Sequence, residues 1–161
     1  MITEVKGDLI QMALNGDFDI IGHGCNMKKT MGAGIALQIS NTFPEADVAD
    51  KEFVDPALGL VGYAETTQVG PSGDNMLVAN MYTQLNLGRY RTAITSNDTY
   101  QHRLSAIAKC MLQVIQDHPE MKMGIPYIGA GIAGLKWQDV RSVLNKVVPK
   151  EFDLTIVEYG K

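Results

Sequence analysis

The chain has 161 residues, 45% hydrophobic and 20% charged, the proportions of a globular protein long enough to bury a core without disulfides or metals. Its formal net charge is −4 and it has no run of five Lys or Arg, which argues against a grip on extended nucleic acid, where phosphate neutralisation supplies much of the affinity. Cys25 and Cys110 sit in no zinc spacing, no apolar run reaches membrane-spanning length and the N-terminus lacks a secretory pattern, so a reduced, cytoplasmic, monomeric single domain over 1–161 is expected, with no membrane association.

Residues 2–6 alternate and predict a first strand, which Gly7 and Asp8 turn into a short helix with Leu9, Met12 and Ala13 on one face. Asp8 suits the helix N-cap, and a carboxylate there can also face a ligand. Asn15 and Gly16 end the helix, and 18–21 predicts a second strand. After a loop, a helix runs from Gly34 to about Phe43, and Pro44 opens a more polar one through Phe53. Residues 54–59 read as a connection, 60–69 as a strand, 70–75 as a turn cluster and 76–81 as the returning strand of an antiparallel hairpin. That hairpin requires a mixed sheet.

The stretch 82–95 (YTQLNLGRYRTAIT) is irregular and long enough to be a functional loop. Tyr100, Leu104, Ile107, Ala108, Met111, Leu112 and Ile115 then form the apolar stripe of a long helix that Pro119 terminates. Residues 123–128 predict a fifth strand. A helix from Trp137 follows, with Val140, Leu144 and Val147 on its apolar side, and 155–159 closes the chain as a last strand. The predicted order is βαβααββαβαβ, six strands with helices on both faces.

Two glycine-rich segments interrupt this order. Gly32, Ala33, Gly34, Ile35 and Ala36 spell GAGIA, and the same five residues recur from Gly129 to Ala133. Each follows an apolar run and precedes a helix. Glycines let a ligand approach the backbone, and first-turn N–H groups favour an anion. Two such loops in one domain can face a ligand with two negative groups, a diphosphate held mainly by amides. Gly129, Gly131 and Gly134 also match GxGxxG, yet only one strand remains after them, so a Rossmann unit does not fit. Neither loop ends in Gly-Lys-Ser or Gly-Lys-Thr, so neither is a P-loop.

A Gly-Asp-Leu after the first strand, an Asn-containing loop running into MGAGIA and a late strand running into GAGIAGLKW together resemble the macrodomain family, which binds ADP-ribose. The resemblance covers nearly the whole chain. Its segments HGCN, MGAGIALQI, FPEA and NMYTQ are similar to the branch containing ADP-ribose-1″-phosphate phosphatases, alongside enzymes that remove ADP-ribose or acetyl groups. It implies an α/β, three-layer αβα fold with a six-stranded mixed sheet, and metal-free, cofactor-free hydrolysis of ADP-ribose 1″-phosphate to ADP-ribose and phosphate. A non-catalytic ADP-ribose reader, an ADP-ribosyl hydrolase acting on an ADP-ribosylated macromolecule and an O-acetyl-ADP-ribose deacetylase are the alternatives it leaves open.

By the same resemblance, Asp8 would accept from the adenine amino group beside Leu9, and Tyr159 would pack on adenine. Gly32, Ala33, Gly34 and Ile35 would wrap one side of the diphosphate. Gly129, Ala130, Gly131, Ile132, Ala133 and Gly134 would close over the other, and Asn26 would hydrogen-bond the distal ribose. His23 is the residue best suited to move a proton near neutral pH; the alternative is a strand-end histidine satisfied by the backbone. Cys25 is either packing or a thiolate on the same strand face as His23. A related branch that hydrolyses glutamate-linked ADP-ribose relies on a lysine after the fourth strand and an aspartate in the second glycine loop. This chain has Thr83 and Gln84 in the first region and Ala133 and Gly134 in the second, so a lysine-adduct mechanism is not expected.

Overall fold

The computed structural model describes residues 1–53, 61–69 and 76–160. The connection expected over 54–59, the start of the strand expected from residue 60 and the turn over 70–75 lie outside these. The elements are β1 (Ile2–Gly7), α1 (Leu9–Leu14), β2 (Ile20–Asn26), α2 (Gly34–Thr42), α3 (Pro44–Glu52), β3 (Ala64–Val69), β4 (Met76–Gln84), α4 (Tyr100–Asp117), β5 (Met123–Ile125), α5 (Trp137–Val147) and β6 (Leu154–Tyr159). Their order matches the one the sequence implies.

The strands form one six-stranded sheet in the order β1-β6-β5-β2-β4-β3. Every neighbouring pair is parallel except β3 with β4, the expected hairpin pair. Strand alternation sends Ile20 of β2 to the face covered by α4 and α5, where it packs with Ile107, Met111, Val140 and Leu144. Ile21 goes to the opposite face and packs with Ile10, Ile39, Phe43 and Ala46 of α1, α2 and the start of α3. The result is three layers, with helices on both faces of a six-stranded mixed sheet, as expected.

Local chemistry explains where the helices start. Asp8 accepts a hydrogen bond from the Gln11 amide at 3.1 Å and so caps α1. Pro44 sits in the first turn of α3, with Glu45 and Asp47 near the positive end of its dipole. Thr99 and His102 form a reciprocal capping box at the start of α4.

β3 begins only at Ala64, because residues 61–63 turn at Gly62, whose φ is +96°, and do not extend the strand expected from residue 60. Three other strands differ in length from the expectation in ways that build the site. β2 continues five residues past Ile21 to Asn26, so His23, Cys25 and Asn26 lie on the strand instead of in a loop. Its polar, glycine-containing sequence reads as a loop, but β2 lies between β5 and β4 in the middle of the sheet, and β4 pairs its backbone as far as Asn26. β4 likewise runs on to Gln84. β5 stops at Ile125, because Pro126 has no amide for the ladder and its carbonyl instead accepts from Ile128 in a turn.

Gly124 of β5 lies under the Phe18 ring, where an added Cβ would come within 2.7 Å of a ring carbon. Gly124→Ala should therefore destabilise the protein by about 1–3 kcal/mol in urea unfolding. Adding Phe18→Leu should recover part of that loss, which a purely backbone effect of the alanine would not allow.

Candidate ligand cleft between the two glycine loops

β2 and β5 are neighbours, but the chain leaves them in opposite directions. β2 leads to α2 on one face of the sheet, and β5 leads through the second glycine loop to α5 on the other. Such divergence opens a crevice beyond the carboxyl ends of the strands. A cavity of about 560 Å³ occupies it, lined on one side by Gly32 to Ala36 and on the other by Gly129, Gly131, Ile132 and Ala133. A second cavity of about 390 Å³, reaching Asp8, Leu9, Ala130 and Tyr159, adjoins it and shares Gly34, Ile35, Pro126, Tyr127 and Gly131. Together they make one trough with Asp8 and Tyr159 at one end and Asn26, Thr83 and Gln84 at the other.

Both walls offer unpaired amides. The N-cap of α2 is Ala33, which has no side-chain acceptor, so the first-turn N–H groups are left for something in the cleft. Opposite them, the amides of Gly129, Gly131, Ile132 and Ala133 have no acceptor among the described residues. No Lys, Arg, His, Asp or Glu is among the described residues that line the larger cavity. A helix dipole and a ring of amides, with no competing carboxylate, suit an anion without a counter-charge. Gly129 makes the second loop possible, because its φ of +76° is left-handed and a Cβ there would lie 2.8 Å from Leu135.

That loop is tied down by Arg103 of α4. Its Nε and Nη2 donate to the two oxygens of Asp98, each at 2.8 Å, and both side chains are buried. Nη1 donates to the carbonyls of Gly88 (2.6 Å) and Ala133 (3.1 Å), which joins the segment after β4 to the glycine loop across the mouth of the cleft. Asp98 also accepts from the amides of Leu85 and Asn86. Burial alone would raise its pKa, but the Arg103 hydrogen bond, the Asn86 and Leu85 amides and the Arg103 charge outweigh burial and hold it at about 2.

The trough gathers Asp8, Leu9, Asn26, Gly32, Ala33, Gly34, Ile35, Gly129, Ala130, Gly131, Ile132, Ala133 and Tyr159. Asp8 and Tyr159 meet because β1 and β6 are parallel with Gly7 opposite Tyr159. Asn26 uses its amide locally, donating to the Thr30 carbonyl at 3.2 Å and accepting from the Lys28 amide at 2.9 Å, and so fixes the loop before Gly32. Gly134 sits behind the loop, with φ +89° and an added Cβ 2.9 Å from Arg89.

The position of His23 corrects the expectation that it reaches the reacting group. The ring is fully buried on the α3 side of the sheet, where Nε2 donates to Asn80 Oδ1 at 2.7 Å and Asn80 in turn donates to the Ala46 carbonyl. It does not line the cleft. Burial lowers its pKa to about 4 against the opposing pull of the Asn80 hydrogen bond, so the ring is neutral at pH 7. Cys25 touches His23, with Sγ 3.5 Å from Nε2, and burial raises its thiol well above the usual range, which leaves a packed thiol and no thiolate.

Sequence reasoning missed Tyr127, which lines both cavities with its ring stacked on Trp137 at 4.1 Å between centroids. Its residue type is legible in the sequence, but the apolar run 123–128 that contains it reads as strand. The described residues contain no cluster of three or more His, Cys, Asp or Glu able to hold a metal, and no helix long and apolar enough to cross a membrane.

No family model matches the sequence. Among curated proteins, the chain is 27% identical over 172 residues to an uncharacterized 17.5 kDa protein of phage T4, covering 99% of this chain and 97% of that one. It is 24% identical to the ADP-ribose 1″-phosphate phosphatase of Candida albicans, covering 98% of this chain and all of that one. Among solved structures, the macrodomain of Mycobacterium tuberculosis DarG superposes with a TM-score of 0.75 at 23% identity, covering 100% of this chain and 98% of that one. Thermosipho africanus DarTG in complex with ADP-ribose gives a TM-score of 0.72 at 13% identity, over 98% of this chain and 41% of that one.

Two outcomes are expected from solution measurements. Arg103→Met leaves Asp98 charged and buried, and should cost about 3–5 kcal/mol in urea unfolding at pH 7. For His23, the unfolded ring binds its proton near pH 6.5 and the folded ring only near pH 4, so the folded state loses stability as pH falls through that window. The stability difference between the native chain and His23→Asn should shrink by about 3 kcal/mol between pH 7 and pH 4.

Proposed function

Because this chain belongs to the macrodomain family, we propose that its cleft binds ADP-ribose, with adenine at the Asp8 and Tyr159 end, the diphosphate between the glycine loops and the second ribose toward Asn26. The observation that carries this reading is the pairing of an uncapped helix N-terminus with four free amides across the larger cavity of the cleft, which no charged side chain lines among the described residues. Two phosphates need two such donor sets, and an acidic protein can supply them from backbone alone.

Asp8 caps α1 through one oxygen, Oδ1, which leaves Oδ2 to accept from an exocyclic amino group. Tyr159, 73% exposed at the end of β6, offers a ring face on which a base can stack. Tyr127 supports the middle of the trough from below.

A second reading, hydrolysis of ADP-ribose 1″-phosphate, is favoured by the name of the Candida albicans relative and of the 26% identical Saccharomyces cerevisiae one. Against it stands the chemistry of the distal end. The described side chains there are Asn26, Thr30, Thr83, Gln84 and a high-pKa Cys25, none of which readily takes or gives a proton at neutral pH. The binding reading needs only what the cleft contains. In this reading His23 is a positioning residue that holds β2 against β4 and α3.

Calorimetric titration with ADP-ribose should give a dissociation constant in the micromolar range, about −7 to −8 kcal/mol. Gly129→Val should weaken binding at least tenfold, because valine cannot hold a φ of +76°. Incubation with ADP-ribose 1″-phosphate separates the two readings: binding without phosphate release supports the reader, and release supports the phosphatase. A chain that binds neither compound contradicts both.

A further inference from the structure

We propose that Thr83 is a specificity-determining contact whose hydroxyl hydrogen-bonds the second, non-adenine ribose of the ligand, so that the cleft distinguishes ADP-ribose from ADP. The proposal rests on the ADP-ribose reading of the cleft. It begins from an irregularity in the sheet. Cys25 of β2 lies opposite Tyr82 of β4, and Asn26 lies opposite Gln84, so Thr83 is left over as a bulge residue with no partner on β2. A bulge re-aims a side chain and commonly does so beside a ligand.

The strand opposite makes room for that side chain. A Cβ on Gly24 would lie 2.9 Å from Thr83 Oγ1. Gly24 does not have the left-handed backbone that would call for glycine, so its missing side chain is explained by the hydroxyl lying over it. Both residues line the cavity at the end away from Asp8.

Thr83 is only 3% exposed, its hydroxyl makes no hydrogen bond to another described residue, and that hydroxyl retains access to the cavity the residue lines. Its polar neighbours are occupied: Asn26 is bonded to Thr30 and Lys28, and Gln84 Nε2 donates to the Asn86 carbonyl at 2.7 Å. Thr83 therefore offers an unbonded hydroxyl to the ligand at this end of the cleft. A ribose, which both donates and accepts through its hydroxyls, matches a threonine that can do the same. The diphosphate, by contrast, already faces the amides.

The test compares ADP-ribose with ADP, which lacks the second ribose, by calorimetry on the native chain, Thr83→Val and Thr83→Ser. Valine keeps the shape and removes the hydroxyl. The expected result is about a tenfold loss of ADP-ribose affinity for Thr83→Val, ADP affinity within twofold of native, and recovery in Thr83→Ser. Gly24→Ala, which places a methyl against Oγ1, should also weaken ADP-ribose and spare ADP, and it serves if the valine chain does not fold. Native-like ADP-ribose binding by Thr83→Val, or an equal loss for both ligands, overturns the role of Thr83 while leaving the cleft assignment standing. A native chain that binds neither ligand overturns the cleft assignment itself.

Discussion

The buried ion pair between Arg103 and Asp98 is the interaction on which the cleft depends. Moving two charges out of water is costly, and the cost is recovered only when geometry and hydrogen bonding are close to saturated. Here they are: each guanidinium nitrogen donates, both carboxylate oxygens accept, and the remaining donors end on the carbonyls of Asn86, Gly88, Arg89 and Ala133. Two segments without regular structure, one after β4 and one after β5, are thus joined to a long helix whose apolar stripe is anchored in the core. A loop fixed in this way keeps its amides pointed at the cleft before any ligand arrives, which is the condition for binding an anion without a large ordering cost.

The charges that build the site are kept out of it. Arg103 and Asp98 neutralise each other behind the loop, and the wall they support presents amides and no charged side chain among the described residues. This reconciles an acidic protein with an anionic ligand. A long-range field from a net charge of −4 opposes a diphosphate weakly through salt solution, while amides and a helix end act at contact distance. On the other side of β2, Tyr82 donates to Asp50, and Asn80 links His23 to α3, so a second polar region stabilises the sheet without entering the cleft. The pKa of the Asp50 carboxyl is pushed up by burial.

The order of elements was legible because it rests on local chemistry. The apolar stripe of α4, the proline that opens α3 and the repeated GAGIA segments each leave a pattern within a few residues. Their placement around one cleft was legible from the repeat, since two anion-favouring loops in one domain suggest a ligand with two anionic groups. The position of His23 is not legible in the sequence, for a tertiary reason. HGCN is polar and glycine-rich, so it reads as loop, but central pairing with β4 makes it strand, and alternation then turns His23 toward α3. Arg103 lay within a helix as an ordinary charged residue, and nothing local marks the distant Gly88 and Ala133 carbonyls as its partners. Thr83 was visible by position, but the bulge that aims it appears only once β2 and β4 are in register.

The claim that backbone amides from both glycine loops hold the ligand is tested most directly by recording amide NMR spectra during titration with ADP-ribose. Large shifts should appear for Gly34, Ile35, Gly129, Gly131, Ile132 and Ala133 together, with smaller ones at Asp8 and Tyr159. Saturable binding that leaves both sets of loop amides unmoved, or moves only one set, would contradict the account.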